Sequence, residues 1–231
     1  AVSVVFQDPH VAVVEKPAGL RCFGGLRTLS NMLASKTSSV TASDQADALL
    51  IPAISQHLDA SVAGLVVVAK TARAALQLHD QPFRYTYWAV VQGKEPFPEG
   101  WSLKRSAPSL RFGAISEVVC EVAEDTAAFR RACVESGHMI LGDCVYGGEA
   151  APMVRRRALY LQVSAVSFVH PATKEVVPVA LPLDSVEKYD KLFAKEAYVW
   201  EMSARGTGGS DYVQKCKEKW DEQYAGQEAE E

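Results

Sequence analysis

The sequence predicts an α+β fold in which a largely antiparallel, mixed sheet carries flanking helices. Apolar, β-branched runs are joined by short turns, as at residues 2–6 and 11–15 around Gln7-Asp8-Pro9-His10. Helical spacing is clearest in short segments between such runs, at Thr71 to His79 and Thr126 to Ser136. The 231 residues are 48% hydrophobic and 23% charged, which is ordinary for a globular protein.

The first half of the chain predicts two strands, one helix candidate and one buried strand. After the strands at 2–6 and 11–15, the helix candidate covers residues 26–36 and a polar loop covers residues 37–48. The continuous apolar run from Leu65 to Ala69 predicts a strand that is buried on both faces.

The elements after this strand follow from capping residues, alternation and turns. Thr71 is expected to cap the helix that runs to His79, and Gly137 to end the helix that begins at Thr126. Pro178 is expected to place the last strand at an edge or at a bulge. Residues 94–112 hold several prolines and cations and are expected to form an exposed insertion. The further predicted strands are Tyr85 to Val91, Ile115 to Val122, Leu159 to Val169 and Val176 to Leu181.

Charge, hydropathy and cysteine content exclude several classes of protein. The formal charge of −4, from 24 basic and 28 acidic residues, argues against a nonspecific nucleic-acid coat but allows a local basic cleft. No apolar run is long enough to predict a membrane span. The five cysteines form no C-x-x-C pair, so neither a zinc site nor a disulfide framework is expected. Free thiols predict an intracellular, reducing compartment.

Asp59 is the first candidate for chemistry, because it lies on a polar segment just ahead of the buried strand. A carboxylate there is exposed by the loop and fixed by the strand. Taken alone, an Asp in this context is most often a turn former. By the same reasoning Tyr87 would be a core aromatic residue and Arg130 a solvated helix residue.

Five blocks of sequence favour the catalytic interpretation of these residues over the structural one. Together, and in the order in which they occur, they resemble the RluA-type RNA pseudouridine synthases from about residue 4 to about residue 183. Any one of the blocks is weak, but their order is specific. The blocks are Val5-Phe6-Gln7-Asp8 with Val13-Val14-Glu15-Lys16-Pro17-Ala18-Gly19-Leu20, His57-Leu58-Asp59 with Gly64-Leu65, Tyr87-Trp88-Ala89-Val90-Val91-Gln92-Gly93, Gly137-His138-Met139-Ile140-Leu141-Gly142-Asp143-Cys144-Val145-Tyr146-Gly147, and His170-Pro171-Ala172-Thr173-Lys174-Glu175.

The resemblance implies the pseudouridine synthase fold with a central RNA cleft, an isomerase activity and three catalytic residues. Asp59 would be the catalytic carboxylate, Tyr87 the aromatic residue against the target uracil, and Arg130 the basic residue paired with Asp59. The reaction detaches uracil from C1′ of its ribose, turns it and rejoins it through C5, and it needs neither a metal nor an organic cofactor. The residues expected to contact RNA are His57, Lys16, Arg155 and Arg156.

Departures from the family pattern leave two functions open. His57 stands where the family has Arg, Val62-Ala63 replaces Thr-Ser, Tyr85 replaces Lys, and Asp125 replaces the first Arg of Arg-Thr-His-Gln-Ile-Arg. The first function is pseudouridine synthesis in structured RNA, with ribosomal RNA as the expected target. The second is an inactive synthase fold that docks RNA or protein during ribosome assembly.

The domain prediction places the synthase-like domain at residues 1–185 and a C-terminal extension at 186–231. This extension is predicted to contain a glycine-rich linker at 205–210 and a short helix from Asp211 to Tyr224. Its aromatic residues are candidates for anchoring ribosomal or assembly-factor proteins, or for packing on their own domain. A cytoplasmic or organellar site, including the mitochondrion, fits the composition; a removed targeting peptide would not be visible.

Overall fold

The computed structural model describes residues 2–35, 38–147, 159–182 and 186–204. They belong to two compact units, each assembled from separate stretches of the chain. Unit 1 comprises Ala1–Tyr87, Glu121–Ala128 and Leu161–Pro182, and unit 2 comprises Trp88–Cys120, Phe129–Tyr160 and Leu183–Glu231.

Unit 1 is built on a mixed sheet that is mainly antiparallel. Its strands are β1 Ser3–Gln7, β2 Val11–Lys16, β3 Ala48–Ile54, β4 Ala63–Thr71, β8 Leu161–Val169 and β9 Val176–Ala180. Strand β4 pairs with β2, β3 and β8, β1 pairs with β2, and β9 pairs with β8. Only the β4–β8 pairing among these is parallel. The predicted α+β class with a largely antiparallel, mixed sheet is thereby confirmed.

Strand β4 is the buried strand that the apolar run predicts, and its residues Leu65 to Ala69 are fully buried. Its parallel contact with β8 places Gly64 opposite Val163. Gly64 has φ +124°, and a Cβ at this position would lie 2.2 Å from the carbonyl oxygen of Val163. The close approach of two backbones therefore requires glycine at position 64.

Two short helices complete unit 1. Helix α2, Ala72–His79, begins where predicted, because the Thr71 hydroxyl accepts a hydrogen bond from the Ala74 amide at 3.2 Å. Helix α1 is shorter than the candidate at 26–36 and covers only Leu29–Leu33. Residues ahead of it form a loop that is held by the Asn31 side chain instead of by helical hydrogen bonds.

Strand β3 was not predicted. Its residues Leu50 and Ile51 are exposed, and its register with β4 shifts between Ala48 and Ala53. The strand therefore lacks the apolar alternation that identifies a half-buried strand in a sequence.

Strand β5, Arg84–Gln92, passes from unit 1 into unit 2, where β6, Trp101–Ser109, pairs antiparallel with β7, Gly113–Val122. The prediction of an exposed insertion at 94–112 is wrong for the residues of β6. Most of its exposed side chains are polar or charged, Leu103 being the exception, and Pro108 pairs with Ala114 near the end of the strand. Pairing with β7, and not the local pattern, makes this segment a strand. Helix α3, Thr126–Glu135, follows β7 as predicted.

Helix α4, Glu187–Ala204, is part of the core of unit 2. Its Tyr189, Leu192 and Phe193 are buried together with Trp88 and Tyr160. The Tyr189 hydroxyl donates to the carbonyl oxygen of Trp88 at 2.9 Å. The division into units therefore does not follow the predicted boundary at residue 185, and the predicted linker and final helix lie outside the described residues.

None of the helices in the described ranges is both long enough and apolar enough to cross a membrane.

Candidate active site

Asp59 lies in the loop between β3 and β4, as the sequence predicts. Its carbonyl oxygen accepts a hydrogen bond from the Val62 amide at 3.1 Å, which closes a tight turn just before β4. The side chain is 43% exposed. A carboxylate that solvent reaches is thus held by backbone hydrogen bonds at the entry to the most buried strand of unit 1.

The buried side chain of Lys16 stabilises this turn through hydrogen bonds. The side chain is fully buried, and its ammonium group donates to the carbonyl oxygens of Leu20, Asp59 and Val62 at 2.8, 3.1 and 2.6 Å. Burial lowers the pKa of Lys16 to about 8, so the group still carries its proton at neutral pH. Lys16, which we predicted to contact RNA, instead binds two loops of its own chain together.

His57 is exposed beside Asp59. Its Nε2 lies 3.8 Å from Oδ1 of Asp59, and 62% of its side chain is accessible. The imidazole ring also stacks against Phe23, with an angle of 12° between the rings and 6.2 Å between their centroids. Phe23 is not identifiable from a sequence pattern, apart from its position next to the glycine pair Gly24-Gly25.

Tyr87 lies on β5 and has no exposed side-chain surface. Its hydroxyl donates to the carbonyl oxygen of Glu124 at 3.1 Å and lies 3.3 Å from Oγ1 of Thr126. Burial raises the pKa of Tyr87, so the phenol is neutral at physiological pH. A uracil could lie against this ring only after side chains that cover it have moved.

Two of the departures from the family pattern have structural partners in unit 1. Tyr85, in place of Lys, stacks on Tyr87 with 5.7 Å between the ring centroids. Asp125, in place of Arg, accepts a hydrogen bond from the Ala128 amide at 2.8 Å, which caps the start of α3. Both residues therefore stabilise the local structure around Tyr87.

Arg130 is buried within unit 2 and is not a solvated helix residue. Its Nε and Nη2 donate to the two carboxylate oxygens of Asp143, at 2.7 and 2.5 Å. The guanidinium group also lies 4.5 Å from the centre of the Tyr146 ring. The predicted pairing of Arg130 with Asp59 stays a prediction, and Asp143 is a partner that sequence reasoning missed.

Two predicted RNA contacts, Arg155 and Arg156, lie outside the described residues. Among the residues that the structure does describe, no group of three or more His, Cys, Asp or Glu side chains is arranged to hold a metal ion.

Comparison with known proteins identifies the family. The family model for RNA pseudouridylate synthase matches residues 10–135, which include Asp59, Tyr87 and Arg130. The dual-specificity RNA pseudouridine synthase RluA of Vibrio parahaemolyticus is 30% identical over 216 residues, covering 78% of this chain and 83% of that protein. The uncharacterized RNA pseudouridine synthase YhcT of Bacillus subtilis is 26% identical over 213 residues, covering 78% and 68%.

Solved structures agree with this assignment at the level of the fold. The human RNA pseudouridylate synthase domain containing 1 aligns with a TM-score of 0.56 at 16% identity, covering 84% of this chain and 95% of that one. The human RNA pseudouridylate synthase domain containing 4 aligns with the same TM-score and identity, and 91% of its chain is covered. The chain belongs to the RNA pseudouridylate synthase family and has its α+β fold.

Proposed function

We propose that this protein isomerises uridine to pseudouridine in structured RNA, with Asp59 as the catalytic carboxylate. The observation that carries the proposal is that Asp59, in a chain of this family, combines an exposed side chain with a fixed backbone. The carboxylate is accessible, whereas the backbone of its turn is fixed by Lys16 and by β4. A rigid turn that presents a single accessible acid suits a reaction in which one carboxylate must meet one sugar carbon.

The reaction is an isomerisation and needs neither an oxidant nor a reductant. The bond between N1 of uracil and C1′ of ribose breaks, a bond between C5 and C1′ forms, C5 loses its proton and N1 gains one. Positive charge develops on the sugar as the first bond breaks, as in glycoside cleavage. The Asp59 carboxylate can stabilise that charge, attack C1′ or remove a sugar proton.

The proposal is tested by following the proton that leaves C5. RNA that copurifies with the protein, and transcripts labelled with tritium at C5 of uridine, would be incubated with the wild type and with Asp59→Ala. We expect tritium release and pseudouridine, detected by mass spectrometry, with the wild type only. Asp80→Asn, which changes an exposed carboxylate at the end of α2, is the matched control and should behave as the wild type.

A second function, docking of RNA or assembly factors by an inactive synthase fold, is favoured by the burial of Tyr87 and by the apolar residue at Val62. The two functions separate in cells that lack the gene. If Asp59→Ala restores growth and ribosome assembly as well as the wild type does, and no RNA loses a pseudouridine, the docking function replaces the enzymatic one. Loss of a particular pseudouridine in that strain supports catalysis.

Ribosomal RNA is the target that we propose, together with ribosomal or assembly-factor proteins as partners of the C-terminal residues. A reducing compartment, cytoplasmic or organellar, is also proposed. Cys22, Cys120 and Cys133 support it because each is buried as a free thiol. Mapping pseudouridines in cells with and without the gene would identify the target RNA and, through it, the compartment.

A further inference from the structure

The loop of residues 21–27, together with His57, forms an exposed surface next to Asp59 that we call the aromatic loop surface. Phe23 is 51% exposed and Leu26 is 93% exposed at the tip of the loop. Gly24 and Gly25 both have positive φ and allow the loop to turn tightly between these two side chains. Single exposed apolar residues are common, but an exposed aromatic ring stacked on an exposed imidazole beside a candidate catalytic acid is a specific arrangement.

The loop is fixed to the segment that carries Asp59. The thiol of Cys22 donates to the carbonyl oxygen of Leu58 at 3.3 Å, so each residue of the Phe23–His57 stack is next in sequence to a residue of this contact. The far side of the loop is held by Asn31, whose side-chain amide donates to the carbonyl oxygens of Gly25 and Leu26. A loop ordered in this way loses little conformational entropy when it binds a ligand.

The charge of the surface favours an anionic ligand. Arg21 and Arg27 flank the exposed tip and are themselves exposed. The chain as a whole carries −4, so this local basic character is not a property of the whole molecule. Aromatic faces interleaved with arginine are the surface that unpaired nucleotides bind, because bases stack on the rings and phosphates pair with the guanidinium groups.

We propose that Phe23, supported by His57, stacks against an unpaired base of the RNA next to the nucleotide that reaches Asp59. This inference rests on the proposed function for the identity of the ligand. Its geometry is independent of catalysis, since one face of the Phe23 ring meets His57 and about half of its surface remains open. The chemical class of the ligand is single-stranded RNA.

Equilibrium binding of the full chain tests the inference without any turnover. The probes are a fluorescein-labelled single-stranded oligouridylate of about 12 nucleotides and a duplex RNA of the same length. We expect the wild type to bind the single strand more tightly than the duplex. Phe23→Ala should weaken binding of the single strand about tenfold, which corresponds to the loss of one base–aromatic stack. Binding of the duplex should change much less.

Substitutions at the same position separate stacking from apolar contact. Phe23→Trp should bind as the wild type, whereas Phe23→Leu should be as weak as Phe23→Ala, because leucine offers no aromatic face. Tyr198→Ala removes an aromatic ring of α4 that is also exposed, and it should leave binding unchanged. Thermal unfolding of all variants should match the wild type, since Phe23 contributes little to the core.

Three results would overturn the inference. The first is that Phe23→Ala or Phe23→Leu binds the single strand as tightly as the wild type does. The second is that the wild type binds single strand and duplex with equal affinity. The third is that a variant loses enough thermal stability to account for its loss of binding. Failure of the proposed function would look different, because no pseudouridine would form while the binding series kept its order.

Discussion

Arg130 and Asp143 form a two-point salt bridge in the interior of unit 2, with both side chains almost fully buried. The Tyr146 ring lies against the guanidinium group, and the Tyr146 amide donates to Oδ1 of Asp143 at 3.3 Å. The carboxylate is thus oriented by the turn after Gly142, and it orients Arg130 in turn. A planar guanidinium group held at two nitrogens has little freedom to rotate.

We expect Asp143→Ala to lower the free energy of unfolding by about 3–5 kcal/mol, because it removes the carboxylate from a buried guanidinium group. The control is Glu187→Ala, which breaks the exposed pair between Glu187 and Lys191 and should leave the free energy of unfolding close to that of the wild type. Urea denaturation of the three proteins measures both values. A cost below about 1 kcal/mol for Asp143→Ala would show that Arg130 does not depend on this carboxylate.

The parts of the fold that the sequence predicts well are those with local causes. Strand β4 follows from one continuous apolar run, and α2 follows from a capping threonine with apolar spacing. The missed strands β3 and β6 have exposed side chains and owe their conformation to partners elsewhere in the chain. Pairing with another strand leaves no periodic signal in a strand whose side chains are mostly exposed.

In the candidate active site, too, features with local causes are predictable from the sequence and long-range contacts are not. The loop position of Asp59 is predictable, because the buried strand after it is visible in the sequence. The burial of Lys16 is not, because its partners Asp59 and Val62 are 43 and 46 residues away. Asp143 was likewise visible only as part of a family block, since its contact with Arg130 depends on the fold of unit 2. Long-range polar contacts of this kind have no local pattern.

Lys16 gives the stability of the protein a pH dependence at alkaline pH. Its pKa is lowered from 10.5 to about 8 by burial, so the unfolded chain binds this proton more tightly than the folded chain does. Between about pH 8 and pH 10.5 Lys16 should therefore add to the free energy of unfolding as pH rises, by on the order of 1–2 kcal/mol. Below about pH 8 its contribution should be constant.

This prediction is measured by urea denaturation of the wild type and Lys16→Met at about pH 7 and about pH 10. The difference in free energy of unfolding should shift in favour of the wild type at the higher pH. Lys195→Met, at an exposed position of α4, controls for the loss of one positive charge. An unchanged difference between wild type and Lys16→Met would mean that Lys16 titrates alike in the folded and unfolded chains.

Gly64→Ala should be severely destabilising, by about 3 kcal/mol or more, because the new methyl group would collide with the backbone of Val163 in β8. Gly137→Ala is the matched control. Gly137 also has a positive φ, of +80°, but no atom lies within 4 Å of an added Cβ, so the cost should be only about 1 kcal/mol. Thermal and urea unfolding should separate the two variants. Equal costs would show that the β4–β8 contact relaxes to accept a side chain.

Tyr189 tests whether α4 belongs to the core of unit 2 or can be removed as an extension. Its ring is fully buried, and its hydroxyl donates to the Trp88 carbonyl oxygen. Tyr189→Phe should cost about 1 kcal/mol for the lost hydrogen bond, and Tyr189→Ala about 3–5 kcal/mol because it also leaves a cavity. Tyr198→Ala, on the same helix but 62% exposed, should stay within about 0.5 kcal/mol of the wild type. If both alanine variants unfolded like the wild type, α4 would contribute nothing to the stability of unit 2.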